Sequence, residues 1–210
     1  VSGLRWKVCG ITNAEDAAAA VIAGADALGF VLWPSSPRAV SLEVARTLAR
    51  DVPESVWKVG VFVDPSAEEL GEAVERVGLD FVQLHGDEPP AACAWAPRPA
   101  WKALRVAPGT SLDEIQRRAD AYAGVTLLID AGVAGAYGGT GQAADWAGAA
   151  HLAGSRRVVL AGGLRPDNVA AAVERVRPWG VDVSSGVESS PGRKDMEKLA
   201  AFALALEPFR

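Results

Sequence analysis

Residues 157–186 read RVVLAGGLRPDNVAAAVERVRPWGVDVSSG. A short β-branched run, Arg157–Leu160, meets the glycine pair Gly162-Gly163. A stretch rich in Ala and Val, Pro166–Val176, follows, and Pro166 suits a first helical position, where its missing N–H costs nothing. A second short apolar run, Gly180–Val183, then ends in Ser184-Ser185-Gly186. Strand, helix and strand in close succession imply parallel pairing, because parallel strands need a crossover between them.

The same unit recurs along the chain. Strands are expected at Trp6–Cys9, Ala27–Leu32, Trp57–Val63, Phe81–Leu84, Trp101–Val106 and Thr126–Ile129, in addition to Arg157–Leu160 and Gly180–Val183. Helices are expected at Asn13–Ala23, Leu42–Arg50, Ala67–Val77, Pro90–Trp95, Leu112–Tyr122, Asp145–Leu152, Pro166–Val176 and Asp195–Leu206. Thr12 with Glu15, Ser66 with Glu69 and Ser111 with Glu114 each have capping-box spacing. Pro89, Pro90 and Pro97 crowd the fourth helix, the weakest of the set. Eight units fit a closed (β/α)8 TIM barrel with a parallel eight-stranded sheet, and an open doubly wound sheet is the rival. No linker or shift in composition divides the chain, so residues 1–210 are read as one barrel domain.

Composition narrows the function. Half of the 210 residues are hydrophobic and 22% are charged, which suits a packed core rather than disorder. A net charge of -5 with no basic stripe argues against nucleic acid. No apolar run reaches the roughly 18 residues of a membrane span. Val1 to Lys7 lacks the layout of a signal peptide, and the missing initiator Met suggests trimming or processing. Cys9 and Cys93 have neither CxxC spacing nor a disulfide pattern, so a reducing cytoplasm is expected.

Barrels of this kind work at the C-terminal ends of their strands. Those ends carry Cys9-Gly10, the Pro-rich loop to Arg38, Asp64, His85-Gly86, Asp130, Gly162-Gly163 and Ser184-Ser185-Gly186. Another Gly-rich loop, Gly138-Gly139-Thr140-Gly141, follows Asp130. Glycines let backbone N–H groups approach an anion, so Gly162, Gly163, Ser185 and Gly186, with Gly139 and Gly141, are candidate substrate-binding positions of phosphate type. A single glycine pair would more simply be a tight turn. Cys9 and Asp130 are the acid–base candidates: the thiol must lose its proton to act as a base, and the carboxyl must keep one to act as an acid. Taken singly, a free Cys is often a small buried hydrophobe and a strand-end Asp a loop brace. Arg38 offers a fork for a carboxylate, or is an ordinary surface arginine. Lys7 faces the same way as Cys9 by period-2 alternation. A buried pair with Asp182 on the neighbouring last strand is expected, with Asp182 either structural or substrate-facing. His85 reads as a hydrogen-bonded structural histidine, with assistance to proton transfer as the alternative. Trp33 is the aromatic best placed to stack a ring, and core packing suits most of the seven Trp.

These stretches resemble the phosphoribosylanthranilate isomerases. Lys7-Val8-Cys9-Gly10-Ile11-Thr12 is similar to the family's opening motif, and Ser35-Ser36-Pro37-Arg38, Val82-Gln83-Leu84-His85-Gly86, Leu128-Ile129-Asp130, Gly138-Gly139-Thr140-Gly141, Leu160-Ala161-Gly162-Gly163 and Asp182-Val183-Ser184-Ser185-Gly186-Val187-Glu188 follow in order. Pro191-Gly192-Arg193-Lys194-Asp195 closes the match. The resemblance implies an Amadori rearrangement of N-(5-phosphoribosyl)anthranilate in tryptophan biosynthesis, with Cys9 as general base, Asp130 as general acid and Arg38 on the anthranilate carboxylate. It implies no metal or organic cofactor, a small phosphorylated sugar as the partner, and a monomer or homodimer. Ala131-Gly132 departs from the Ser or Thr more usual there. The alternatives are another phosphosugar isomerase or epimerase barrel, and a catalytically silent phosphate-binding barrel. An aminoimidazole-carboxamide isomerase typically uses two aspartates, whereas Cys9 occupies the strand-1 position here.

Overall fold

The computed structural model describes residues 3–107, 109–131 and 146–210. Eight parallel strands close on themselves in sequence order: β1 Arg5–Cys9, β2 Ala27–Val31, β3 Trp57–Phe62, β4 Phe81–Leu84, β5 Ala100–Val106, β6 Thr126–Ala131, β7 Val158–Leu160 and β8 Gly180–Val183. Closure rests on β1 pairing with β8, Lys7 opposite Asp182, and this removes the doubly wound alternative. The helices are α1 Ala14–Ile22, α2 Leu42–Arg50, α3 Ala67–Val77, α4 Pro90–Trp95, α5 Leu112–Asp120, α6 Trp146–Ala153, α7 Val169–Val176 and α8 Met196–Leu206.

Local chemistry explains most boundaries. In α3, Leu70, Ala73, Val74 and Val77 form the buried stripe, Ser66 and Glu69 complete a reciprocal capping box, and Gly78 ends the helix in the left-handed region at φ 72°. Ser111 caps α5 by accepting from the Glu114 amide. Two expected starts are corrected. Asn13, not Thr12, caps α1 by accepting from the Asp16 amide, and the Thr12 hydroxyl instead donates to the Gly192 carbonyl at 2.5 Å. Helix α7 begins at Val169, three residues beyond Pro166. The Asn168 side chain draws the chain into a turn there, accepting from the Arg165 amide and donating to the Gly163 carbonyl. An unexpected antiparallel hairpin, β9 Glu188–Ser190 and β10 Arg193–Lys194, follows β8.

Strand alternation sorts the core into two shells. Residues such as Trp6, Val8, Leu28 and Phe30 pack outward beneath the helices. Inside the barrel, Ala27, Val59, Ala103, Leu128 and Val159 fill the middle. At the N-terminal mouth four aromatics form a closed ring of contacts: Trp57 to Phe81 at 5.2 Å, Phe81 to Trp101 at 5.5 Å, and Trp179 at 6.1 Å from both Trp101 and Trp57. Three of the seven tryptophans thus plug the end opposite the C-terminal strand ends. Trp101→Ala should lower unfolding free energy by about 3–5 kcal/mol in urea titration while kcat/KM stays near normal. Loss of activity in a fully folded variant would contradict this separation.

Candidate active site

Cys9 is the last residue of β1, and the residue opposite it on β2 is Gly29. A Cβ at Gly29 would stand 2.8 Å from the Cys9 Sγ and 3.1 Å from the Lys7 Nζ. Glycine therefore clears the space that the thiol and ammonium fill. The Lys7 ammonium donates to Asp182 Oδ1 at 2.6 Å inside the barrel wall, which is the expected buried pair. Burial works against the Lys7 charge, but Asp182 and Cys9 outweigh it and raise its pKa. Burial raises the Cys9 thiol above its ordinary value; Lys7 opposes the rise and Asp182 reinforces it.

Across the mouth, Asp130 on β6 is buried and lines the same pocket as Cys9. His85 Nε2 lies 3.2 Å from Asp130 Oδ2, off the line of a hydrogen bond. Gln83 Nε2 stands 3.0 Å from His85 Nδ1. With that amide donating, Nδ1 accepts and the ring proton sits on Nε2, facing Asp130. Below them Glu88 braces the loop. It accepts from the Asp64 and Gly86 amides at 2.9 Å and pairs with the buried Lys102 at 2.7 Å.

Arg38 is neither free nor on the open surface. Its Nε and Nη2 donate to the two oxygens of Glu188 at 2.9 and 2.7 Å. Lys194 Nζ donates to the same Glu188 at 2.9 Å and to the Cys9 carbonyl at 2.7 Å. Burial alone would raise the Glu188 pKa, yet Arg38 and Lys194 together hold it below the usual value. Burial lowers the Lys194 pKa, and Glu188 opposes the drop. Gly10, at φ 77°, lets the Arg38 stem lie across it: a Cβ there would stand 2.6 Å from Cδ.

Gly162 and Gly163 turn the chain after β7 at φ 84° and 65°. Gly186 sits in a short 3-10 turn, Ser185–Val187, where a Cβ would overlap the Leu164 carbonyl oxygen. That contact sets the two loops against each other. Gly162, Gly163, Asp182, Ser185 and Gly186 all line the pocket of about 230 Å³ that holds Cys9, Arg38 and Asp130. Gly139 and Gly141 lie outside the described residues. Gln83, Gly29, Glu188 and Lys194 were assigned no role from sequence. A lone Gln or Gly within a strand is unremarkable, and the two charges flank a Pro-Gly turn that resembles a surface loop.

Acid–base groups, a guanidinium and two glycine loops at the C-terminal mouth of a closed (β/α)8 barrel define a barrel enzyme. Known proteins narrow the class. The family model described as N-(5'phosphoribosyl)anthranilate (PRA) isomerase matches residues 6–205. Two curated relatives named N-(5'-phosphoribosyl)anthranilate isomerase are 49% identical in Pseudomonas putida strain GB-1, covering 99% of both chains, and 50% identical in Pseudomonas aeruginosa strain LESB58, covering 99% of this chain and 97% of the relative. Among solved structures, phosphoribosyl anthranilate isomerase from Thermotoga maritima superposes with TM-score 0.87 at 37% identity, over 98% of this chain and 99% of that one. Another isomerase structure, in complex with reduced 1-(o-carboxyphenylamino)-1-deoxyribulose 5-phosphate, has TM-score 0.86, 38% identity and the same coverage. The chain belongs to the N-(5'-phosphoribosyl)anthranilate isomerase family and is an isomerase of the aldose–ketose type.

The raised Cys9 pKa carries a sign. Below its pKa the buried thiol is neutral, so the thiolate fraction at neutral pH is smaller than that of an ordinary cysteine. In a Cys93→Ser background, iodoacetamide should alkylate Cys9 more slowly than a free-thiol control at neutral pH. The rate should climb on the alkaline side of the ordinary thiol midpoint. A midpoint below that of the control would show that Lys7 outweighs burial.

Proposed function

We propose that this barrel converts N-(5-phosphoribosyl)anthranilate to 1-(2-carboxyphenylamino)-1-deoxyribulose 5-phosphate in tryptophan biosynthesis, with Cys9 as base and Asp130 as acid. The observation that carries the assignment is that both residues line one pocket, on opposite walls, together with Arg38 and the two glycine loops. Asp130 gives its proton to the ribose ring oxygen as the C1–O bond breaks, and the anilino nitrogen supplies the electrons that form the C1 iminium. The Cys9 thiolate then takes the proton from C2, and the C2–H electrons form the C1–C2 double bond of the enolamine while the iminium collapses. The enol O–H loses its proton and C1 gains one, leaving the C2 ketone. Oxidation at C2 balances reduction at C1 within one molecule, so the reaction needs no redox cofactor.

The remaining groups serve this sequence. Lys7 faces the thiol and favours its ionised form. His85 flanks the Asp130 carboxyl, its Nε2 3.2 Å from Oδ2 but off the line of a hydrogen bond. Arg38 receives the anthranilate carboxylate, Trp33 flanks the ring, and the loops at Gly162-Gly163 and Ser185-Gly186 hold the phosphate, with Gly139 and Gly141 as further contributors. Asp182 holds the Lys7 ammonium beside Cys9, acts on the thiol directly against Lys7, and also faces the pocket.

The unit is one catalytic domain over residues 1–210, working as a monomer or homodimer in the cytoplasm. Two unpaired cysteines, Cys9 and Cys93, support a reducing compartment. Among the described residues no helix is long and apolar enough to cross a membrane.

Anthranilate fluorescence should disappear as the purified protein turns over freshly made phosphoribosylanthranilate. Asp130→Asn should cut kcat by about 10²–10⁴-fold while product binding survives. Cys9→Ser should be similarly impaired, because a hydroxyl is a far poorer proton acceptor than a thiolate. Near-normal kcat in either variant would remove that residue from its role. Turnover of a different phosphosugar alone would move the barrel to another isomerase or epimerase.

A further inference from the structure

A guanidinium has two edges that match a carboxylate, the side formed by Nε with one Nη and the end formed by the two Nη groups. In Arg38 the side edge is taken by Glu188, at 2.9 Å from Nε and 2.7 Å from Nη2. Arg38 also lines the pocket, with its side chain only 11% exposed. An arginine held along its side can rotate little, and its end edge is the one left to present to a ligand. The other atoms around Glu188 fix it in turn. Lys194 donates to Oε1 at 2.9 Å, the Gly192 amide approaches the same oxygen at 3.4 Å, and the Lys194 ammonium is anchored on the Cys9 carbonyl at 2.7 Å.

Charge makes the second point. Arg38 with Glu188 alone is a neutral pair, and a neutral pair has little to offer an incoming carboxylate. Adding protonated Lys194 brings the cluster to a net charge of one positive unit, in surroundings that screen poorly. The hairpin that carries Glu188 and Lys194 adds nothing to the barrel wall; Thr12 and Asp16 tie it to the start of α1 and Lys198 ties it to α8, which leaves the Glu188 side chain on Arg38 and the Lys194 side chain on Glu188. Resting on the assignment of Arg38 to the anthranilate carboxylate, we propose that Glu188 and Lys194 are positioning residues for that group. Glu188 fixes the guanidinium so that its end edge meets the carboxylate, and Lys194 cancels the charge of Glu188 so that the attraction survives.

The test separates orientation from charge. The probes are reduced 1-(2-carboxyphenylamino)-1-deoxyribulose 5-phosphate and its counterpart made with aniline, which lacks only the carboxylate. Isothermal titration gives the ratio of their affinities in each variant, so an incompletely folded fraction cancels. Lys194→Met, which makes the cluster neutral, should lose the preference for the carboxylate ligand by roughly tenfold. The double variant Glu188→Gln with Lys194→Met restores one net positive charge but frees the guanidinium, and it should lose the preference by a similar factor. Glu188→Asp keeps the charge, shortens the reach and serves if the double variant does not fold; it too should lose preference. Steady-state kinetics of Glu188→Asp should show a raised KM with kcat largely kept.

A wild-type ratio in the double variant or in Glu188→Asp would overturn the orienting role. A wild-type ratio in Lys194→Met would overturn the charge role. Arg38→Met is the control. Should it keep the wild-type ratio, the assignment of Arg38 to the carboxylate fails. Should it lose the ratio while the other variants keep it, that assignment stands and only the roles of Glu188 and Lys194 fall.

Discussion

The buried contact between Lys7 and Asp182 holds the two ends of the sheet together. Lys7 sits on the first strand and Asp182 on the last, opposite one another in the register that closes the barrel. Their atoms meet at 2.6 Å with almost no solvent on Lys7. Desolvating two charges costs several kcal/mol per ion, so such a pair is weak evidence of net stability, yet removing one partner strands the other and costs about 3–5 kcal/mol. The pair therefore acts as a demand on geometry: a barrel whose first and last strands slipped by one residue would leave a bare ammonium in its wall. The register that satisfies this demand also sets Cys9, two residues along β1, at the mouth beside the loop that follows β8. Closure of the fold and assembly of the site are the same event at this seam.

Much of the architecture was legible because it depends on period and punctuation. Short β-branched runs between amphipathic stretches could only pair in parallel, and strand ends could be read as a list of rim residues. The errors were local and have specific causes. Thr12 has capping-box spacing, but its hydroxyl finds the Gly192 carbonyl from the far end of the chain, leaving Asn13 to cap α1. Pro166 suits a helix start, but Asn168 hydrogen-bonds back across the turn and delays the helix to Val169. A contact between residues 180 apart in sequence leaves no trace in local spacing.

The site was legible in its rim residues and opaque in what holds them. Cys9, Asp130, Arg38 and the two glycine loops after β7 and β8 line one pocket. Their supports were missed because each looks ordinary in sequence. Gly29 matters only through the thiol on the adjacent strand. Gln83 matters only through His85. Glu88 and Lys102 form a buried pair between a loop and the outward face of β5, where alternation places Lys102 with Leu104 and Val106 and a lysine reads as bound for solvent. The tryptophans show the converse. Their number invites a functional explanation, but the ring of Trp57, Phe81, Trp101 and Trp179 lies at the N-terminal mouth. It is an apolar plug, and it leaves the other mouth free to be polar.

That division resolves the conflict between an acidic protein and a doubly anionic substrate class. The net charge of -5 belongs to the chain as a whole, and exposed charges farther off than a Debye length of about 8 Å are largely screened at physiological salt. What an incoming anion meets is set by the buried groups at the mouth, where screening is weak. The Lys7–Asp182 pair is neutral in sum, so its field falls off quickly. The cluster of Arg38, Glu188 and Lys194 is not neutral, and its Arg38 borders the pocket. The glycine turns after β7 and β8 add backbone dipoles in place of cations. An aldose–ketose isomerase must release an anionic product as readily as it captures an anionic substrate. On the proposed reading, one compensated cation and a set of fixed dipoles would give selectivity without the deep electrostatic trap that a cluster of free lysines would create.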